Sequence, residues 1–338
     1  MQLHPLLFEP IYKEKVWGGR SLERFGRELP GGPDTLIGES WELADLASTA
    51  PSGGGGEAAR SVVANGDMEG MKLDELVRDH ADAVLGSVTP TEEEGFPLLI
   101  KYLDARENLS VQVHPSIAYA AEHEDAHLKS EAWYVVDAEP GAVIYKGVKD
   151  GTTPERLRAA IEGDSVRDLL VEVPVEPGDC HYLPSGTCHA LGAGILLAEV
   201  QTPSDTTFRL YDWGRTDREL HVDAALECIE YGPARTEEFE PGTLIREEGR
   251  EVRSLVHCDH FAIDEWRAEP LRRIPVERGR PEVWMVVEGR ADLRSPPDAF
   301  DPVVASPGRT LLVPAALPPA VLEVIEPLVM LRVTLPAA

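Results

Sequence analysis

Leu109-Ser110-Val111-Gln112-Val113-His114-Pro115 alternates apolar and polar residues with the period of a β-strand. A hydroxyl, an amide and an imidazole therefore share one face. A polar face turned to water has the same pattern, so the segment gains meaning only from its neighbours. In Lys129-Ser130-Glu131-Ala132-Trp133 the same argument puts Lys129 and Glu131 on one face, either as an ion pair at a sheet edge or as groups aimed into a site. From Gly178 to His189, a Pro184-Ser185-Gly186 turn separates two strand signals and leaves His189 to open the second strand. An inward histidine becomes a metal ligand where other donors converge on it. Glu199 lies on a strand ending at Pro203, and the loop beyond carries Asp205, Arg209 and Arg215 among aromatic residues. The arginine fork suits phosphate or carboxylate, although ion pairing would equally account for two arginines in so acidic a chain.

The elements that must position these residues are mostly short. Apolar runs at Pro97–Leu103, Glu131–Val136, Gly194–Val200, Val283–Val287 and Leu328–Val333 are bounded by Pro, Gly or charge, the spacing of a sandwich or barrel. Helical periodicity predicts one helix over about 71–85, with Leu73, Leu76, Val77 and Val84 on its apolar positions. A second is predicted over about 153–170, with Pro154 in its first turn and Leu157, Ala160 and Ile161 on one face. Residues 52–60 read as a surface loop, and the charged stretch 232–251 as a boundary, giving a catalytic unit 1–235 and a β unit 236–338. Strands entered through Pro-Gly and left through Pro recur at 177–184 and 307–314, a weak internal duplication. Since no histidine follows His260, a histidine-ligated metal belongs to the first copy.

Composition bounds the function. The chain has 338 residues, a formal charge of −28 and 43% hydrophobic residues, enough to bury a core. Its negative field opposes binding to a phosphate backbone, so nucleic acid is not an expected partner. Only seven of the 32 cationic residues are lysine, all before residue 150, which fits either a high-salt proteome or a GC-rich genome. Four cysteines, none in a C-x-x-C pair, argue against a disulfide scaffold and for a reducing compartment. Residues 1–10 lack the features of a signal peptide, and no run of 18 apolar residues occurs. The expectation is a cytoplasmic protein with no membrane partner.

The spacing Gly178, Pro184-x-Gly186, His189 is similar to the second cupin motif. Together with Lys15–Gly19, Gly38–Trp41, Phe96–Ala105, Leu109–Pro115, Lys129–Val135, Pro184–Ala190, Ser204–Arg209 and Arg218–Val222, it makes the chain resemble the type I mannose-6-phosphate isomerases, in their short bacterial and archaeal branch. The resemblance implies a mainly β double cupin, two barrels or jelly rolls with a small helical insertion in the N-terminal part. It implies one Zn2+ per chain on Gln112, His114, Glu131 and His189, with Gln112 dispensable in the short branch. Lys129 and Arg209 fall on active-site positions, and Asp205 and Glu199 on acid/base positions. Ser110 and Trp17 would face substrate, and Arg215 would help Arg209 with a phosphate.

The implied reaction converts mannose 6-phosphate to fructose 6-phosphate through a cis-enediol. Asp205, Glu199 and a histidine all stand as the C2 base. The alternatives are a metal-binding cupin acting on another sugar phosphate and a non-catalytic sugar-phosphate binding module. The expected assembly is a monomer or homodimer. Two features depart from the family pattern: His114 and Glu131 are 17 residues apart with Gly141 late for the first cupin motif, and the large helical insertion of longer relatives is missing.

Overall fold

The computed structural model describes residues 3–49, 56–123, 126–234, 242–247, 249–296 and 298–336. It is mainly β, built as two open sandwiches laid back to back. In the first, a six-stranded sheet runs in the order Cys180–Leu183, Glu131–Ala138, Ile195–Gln201, Leu99–Ala105, Ile11–Gly19, Ile37–Leu43. It faces a five-stranded sheet of Leu170–Pro174, Val143–Val148, His189–Leu191, Val111–Val113 and Phe208–Tyr211. Trp17, Leu103, Trp133 and Leu183 from one sheet pack with Ile144 and Leu191 from the other, and with Leu109 just before Val111–Val113.

The second sandwich pairs a four-stranded sheet with a seven-stranded one. The seven-stranded sheet takes Leu6–Leu7 from the N-terminus beside Thr310–Val313, so the two ends of the chain share a sheet. Among the described residues no sheet closes on itself, so the anticipated barrels are open there. Between the sandwiches lies the largest apolar core. Ile100, Tyr102, Ala132 and Val200, on the back of the six-stranded sheet, meet Leu255, Ile263, Met285 and Leu331. Side-chain alternation explains this: Ala132, Tyr134 and Val136 face the core, while Glu131, Trp133 and Val135 face the space where the site lies.

The internal repeat is visible in register. Glu131 lies opposite Leu183 and Gln201, Trp133 opposite Glu199, and Glu199 opposite Lys101. In the second sandwich Glu282 lies opposite Val313 and Thr334, Trp284 opposite Arg332, and Arg332 opposite Asp264. Glu-x-Trp is thus repeated, while the facing ion pair exchanges its signs, Lys101–Glu199 becoming Asp264–Arg332. Glu282 is neutralised by Arg332 Nη2 at 2.5 Å, where Glu131 faces two imidazoles and the Lys129 ammonium instead.

The helix predicted at 71–85 spans Leu73–Val84 and buries Leu73, Leu76, Val77 and Val84. The one predicted at 153–170 is two pieces. Thr153 caps Pro154–Glu162 through its side chain, and a 3-10 turn follows at Val166–Leu169. Gly163 and Asp164 break it, Asp164 adopting φ +53°, which stops α-helical hydrogen bonding. Short helices at Ile117–Glu122 and Val222–Cys228 carry too few turns to show periodicity. Residues 52–55 of the anticipated loop, and 235–241 and 248 of the anticipated boundary, lie outside the described residues. Ala59–Arg60 pairs with Asp45–Leu46 rather than remaining loop. The four cysteines are free thiols, and among the described residues no helix is long and apolar enough to cross a membrane.

Candidate active site

Three strands of the first sandwich deliver three metal-binding side chains to one point. His114 follows Val111–Val113, Glu131 opens Glu131–Ala138, and His189 opens His189–Leu191. Gly186, at φ +87°, makes the tight turn that the Thr187 N–H to Pro184 O bond closes, and so starts the last strand at His189. One donor atom from each of the three side chains lies within 4.8 Å of the others, and all three residues are buried.

Their hydrogen bonds leave lone pairs pointing inward. His189 Nδ1 lies 2.8 Å from Thr187 O and His114 Nδ1 3.0 Å from Thr206 O, so each Nδ1–H donates to a carbonyl. Each Nε2 then presents a lone pair to the Glu131 carboxylate, at 3.2 Å in both cases. Two imidazole lone pairs and a carboxylate converging in a dry interior favour a cation among them, a place the Lys129 ammonium partly takes, and imidazoles tethered through their other nitrogen are oriented as metal ligands. Burial, helped by the Lys129 charge, pushes the His114 pKa down to about 3, so the ring stays neutral, as a ligand must. Glu131 Oε1 has no hydrogen-bond donor. The chemistry of the set, two imidazoles and a carboxylate, fits a divalent ion such as zinc. The Gln112 amide faces His189 Nε2 at 3.2 Å, within reach of the same point.

Above the triad opens a cavity lined by cations. Lys15, Lys101, Lys129, Arg209 and Arg218 line it, so three of the chain's seven lysines converge here. Lys129 Nζ lies 2.5 Å from Glu131 Oε2 and 3.1 Å from His114 Nε2. Lys101 Nζ reaches Glu199 Oε2 at 3.3 Å, and the Trp133 indole N–H donates to Glu199 Oε1 at 3.0 Å. Burial raises the Glu199 pKa; Lys101 pulls against that shift and Glu131 adds to it. Glu39 is mostly buried, but Lys15 and Lys101 overcome the desolvation and bring it to about 2. The two carboxylates are thus shifted in opposite directions, Glu39 down and Glu199 up.

Among the residues anticipated from the sequence, Trp17, Ser110, Gln112, Lys129, Glu199, Asp205 and Arg209 all line the cavity. Ser110 Oγ accepts from Arg209 Nε at 3.4 Å. His114, Glu131 and His189 lie beneath the cavity floor as the buried triad. Arg215 is not brought to the cavity. It bonds Asp212 and the Asn108 carbonyl, and Arg218, tied to the same Asp212, lines the wall instead.

Sequence reasoning missed Lys15, Glu39, Trp41, Lys101, Thr207 and Arg218. Lys101 had a signal, the one cation in the buried run Leu99–Ala105, on the same face as Leu103. Lys15 and Trp17, and Glu39 and Trp41, likewise show the period of two. Arg218 follows an irregular turn and has no such signal.

Comparison with known proteins points to one family. Residues 6–144 match the phosphomannose isomerase type I catalytic domain. The mannose-6-phosphate isomerase ManA of Bacillus subtilis is 40% identical over 274 residues, covering 79% of this chain and 80% of ManA. The crystal structure of the mannose 6-phosphate isomerase from Bacillus subtilis superposes with a TM-score of 0.82 at 30% identity, covering 98% of this chain and 99% of that one. A mannose 6-phosphate isomerase bound with zinc and yttrium shares the fold at TM-score 0.71 and 17% identity, covering 98% of this chain and 100% of that one.

Proposed function

The chain belongs to the type I phosphomannose isomerase family, and from that premise we propose that it is a zinc-dependent aldose–ketose isomerase interconverting mannose 6-phosphate and fructose 6-phosphate. The observation that carries the metal requirement is the pair of imidazole lone pairs held against the buried Glu131 carboxylate. His114, Glu131 and His189, with Gln112 alongside, would hold the ion, and a relative of the same fold is bound with zinc. When bound, a divalent ion supplies Lewis-acid stabilisation of charge on the sugar oxygens.

The chain's own residues supply the rest. Arg209 and Arg218 present planar forks to a phosphate dianion from one wall. Trp17 and Trp41 add apolar surface to the lining. The C2 proton of the open-chain aldose must leave to a base. Both histidines are excluded, because each is tethered at Nδ1 and aims Nε2 into the triad. Of the carboxylates, we assign the role to Glu199, since its raised pKa brings it nearer the value that suits a proton shuttle. As the proton passes to Glu199, the C2–H electrons form the C1–C2 double bond of a cis-enediol and O1 gains a proton. Return of the carbon-bound proton to C1, with loss of the O2 proton, gives the ketose. Lys129 donates to the oxygen on which charge develops, and Asp205 lines the loop side.

All residues that line the cavity lie between Lys15 and Arg218. This supports a division into a catalytic part, 1–235, and a second part, 236–338, that stabilises it. Four free thiols support action in the reducing cytoplasm. Turnover in D2O tests the chemistry. Deuterium incorporated at C1 of the product is expected, and complete retention of the original C2 hydrogen at C1 would overturn the enediol in favour of hydride transfer.

A further inference from the structure

Lys129 is placed by side chains and not by a strand ladder. It precedes Glu131–Ala138, so its backbone N–H has no partner strand and bonds Ser185 Oγ at 3.0 Å instead. The next N–H, of Ser130, bonds Thr202 Oγ1 at 3.2 Å, and Thr202 N–H returns a bond to Ser130 O at 3.1 Å. The Ser185 N–H closes the ring on Ser130 Oγ at 3.2 Å. Because strand residues alternate, Lys129 and Glu131 face the cavity while Ser130 points behind it. There the Tyr182 hydroxyl also bonds the Ser130 side chain.

These three hydroxyls belong to three separate segments. Ser130 is between Lys129 and Glu131, Ser185 is in the turn that leads to His189, and Thr202 is in the loop that leads to Asp205. We propose that Ser130, Ser185 and Thr202 form a staple that fixes the Lys129 ammonium relative to the metal triad and the Asp205 loop, which makes Ser185 and Thr202 positioning residues for the isomerisation. The juxtaposition carries the inference: buried N–H groups at the base of Lys129 are satisfied only by side-chain oxygens of the other two site-bearing loops. Without one oxygen, a buried donor must find a new partner, and the backbone of Lys129 shifts to reach it. A displacement near 1 Å suffices to cost on the order of a hundredfold in a positioned reaction. The substrate's distant phosphate contacts remain, so the loss falls on kcat.

The inference rests on Lys129 acting in the reaction, and the experiment separates the two. Steady-state kinetics on metal-loaded Ser185→Ala, Thr202→Val, Lys129→Ala and the double variant Ser185→Ala/Lys129→Ala are compared, with metal content measured on each. The staple predicts a fall in kcat of about 10-fold or more for Ser185→Ala, with KM and metal content within about 2-fold of the parent. Ser185→Thr, which keeps the oxygen, restores kcat, and Ser185→Ala has no further effect once Lys129 is alanine. Should Ser185→Ala fail to fold, Thr202→Val carries the same expectation. Parental kcat in Ser185→Ala or Thr202→Val, alongside a crippled Lys129→Ala, overturns the staple alone. Parental kcat in Lys129→Ala overturns the role of Lys129 and the staple with it.

Discussion

Lys101 and Glu199 face each other across neighbouring strands, Nζ to Oε2 at 3.3 Å, with both side chains buried. Burial raises the Glu199 pKa and the Lys101 charge holds part of that rise back. Glu199 must be ionised to accept a proton, so activity requires a pH above its pKa. Replacing Lys101 with methionine removes the restraint and pushes that pKa further up. The acid limb of kcat/KM therefore moves to higher pH, and activity at pH 6 falls by more than activity at pH 8. An unmoved acid limb in Lys101→Met would detach Glu199 from the rate.

Arg218 and Arg215 share Asp212 but differ in reach. Arg215 is spent on Asp212 and the Asn108 carbonyl, whereas Arg218 also borders the cavity. Loss of one charge-assisted contact to a phosphate is worth roughly tenfold or more in affinity. Arg218→Ala should raise KM for the sugar phosphate by about that factor, while Arg215→Ala changes KM by less than about 2-fold. The reverse order in steady-state kinetics would put the phosphate on the Arg215 side.

The two sandwiches are joined by a buried carboxylate. Glu265 accepts from the Tyr134 hydroxyl at 3.0 Å and from Arg253 at 2.8 Å, and pairs with Arg267 as well. Burial alone would raise its pKa, but the Arg267 hydrogen bond and the Arg253 and Arg267 charges lower it below the ordinary value. A carboxylate with a lowered folded pKa adds stability above its unfolded pKa, and that stability is lost as pH falls through the folded pKa. Glu265→Gln should destabilise the protein by about 1 kcal/mol or more at neutral pH, since Glu265 is buried while its arginine partners stay partly exposed and screened. The difference from the parent should shrink as pH falls below the ordinary carboxylate range. Urea unfolding at pH 7 and pH 3.5 measures both, and an equal loss at the two values would assign the effect to packing.

Much of the site was legible because strand alternation is a local property. Ser110, Gln112 and His114 share a face by counting, as do Lys129 and Glu131, and the Pro184–Gly186 turn announces His189. Lys101 was read with its apolar neighbours because a buried lysine makes sense only once Glu199 and Glu39 are known to face it. Long-range pairing was equally hidden. Nothing in Leu6-Leu7 says that it adds to a strand at Leu311-Leu312, and the signs exchanged between Lys101–Glu199 and Asp264–Arg332 emerge only from the register. The break after Glu162 went unseen because helical periodicity resumes at Val166–Leu169.

The central claim, that a metal on His114, Glu131 and His189 serves a mannose 6-phosphate isomerase, is tested most directly by one assay. Conversion of mannose 6-phosphate to fructose 6-phosphate is followed before chelation, after it, and after zinc is returned. Activity is expected to be lost to the chelator and recovered with zinc, with no recovery in Glu131→Ala. Undiminished conversion by protein shown to be metal-free would contradict it.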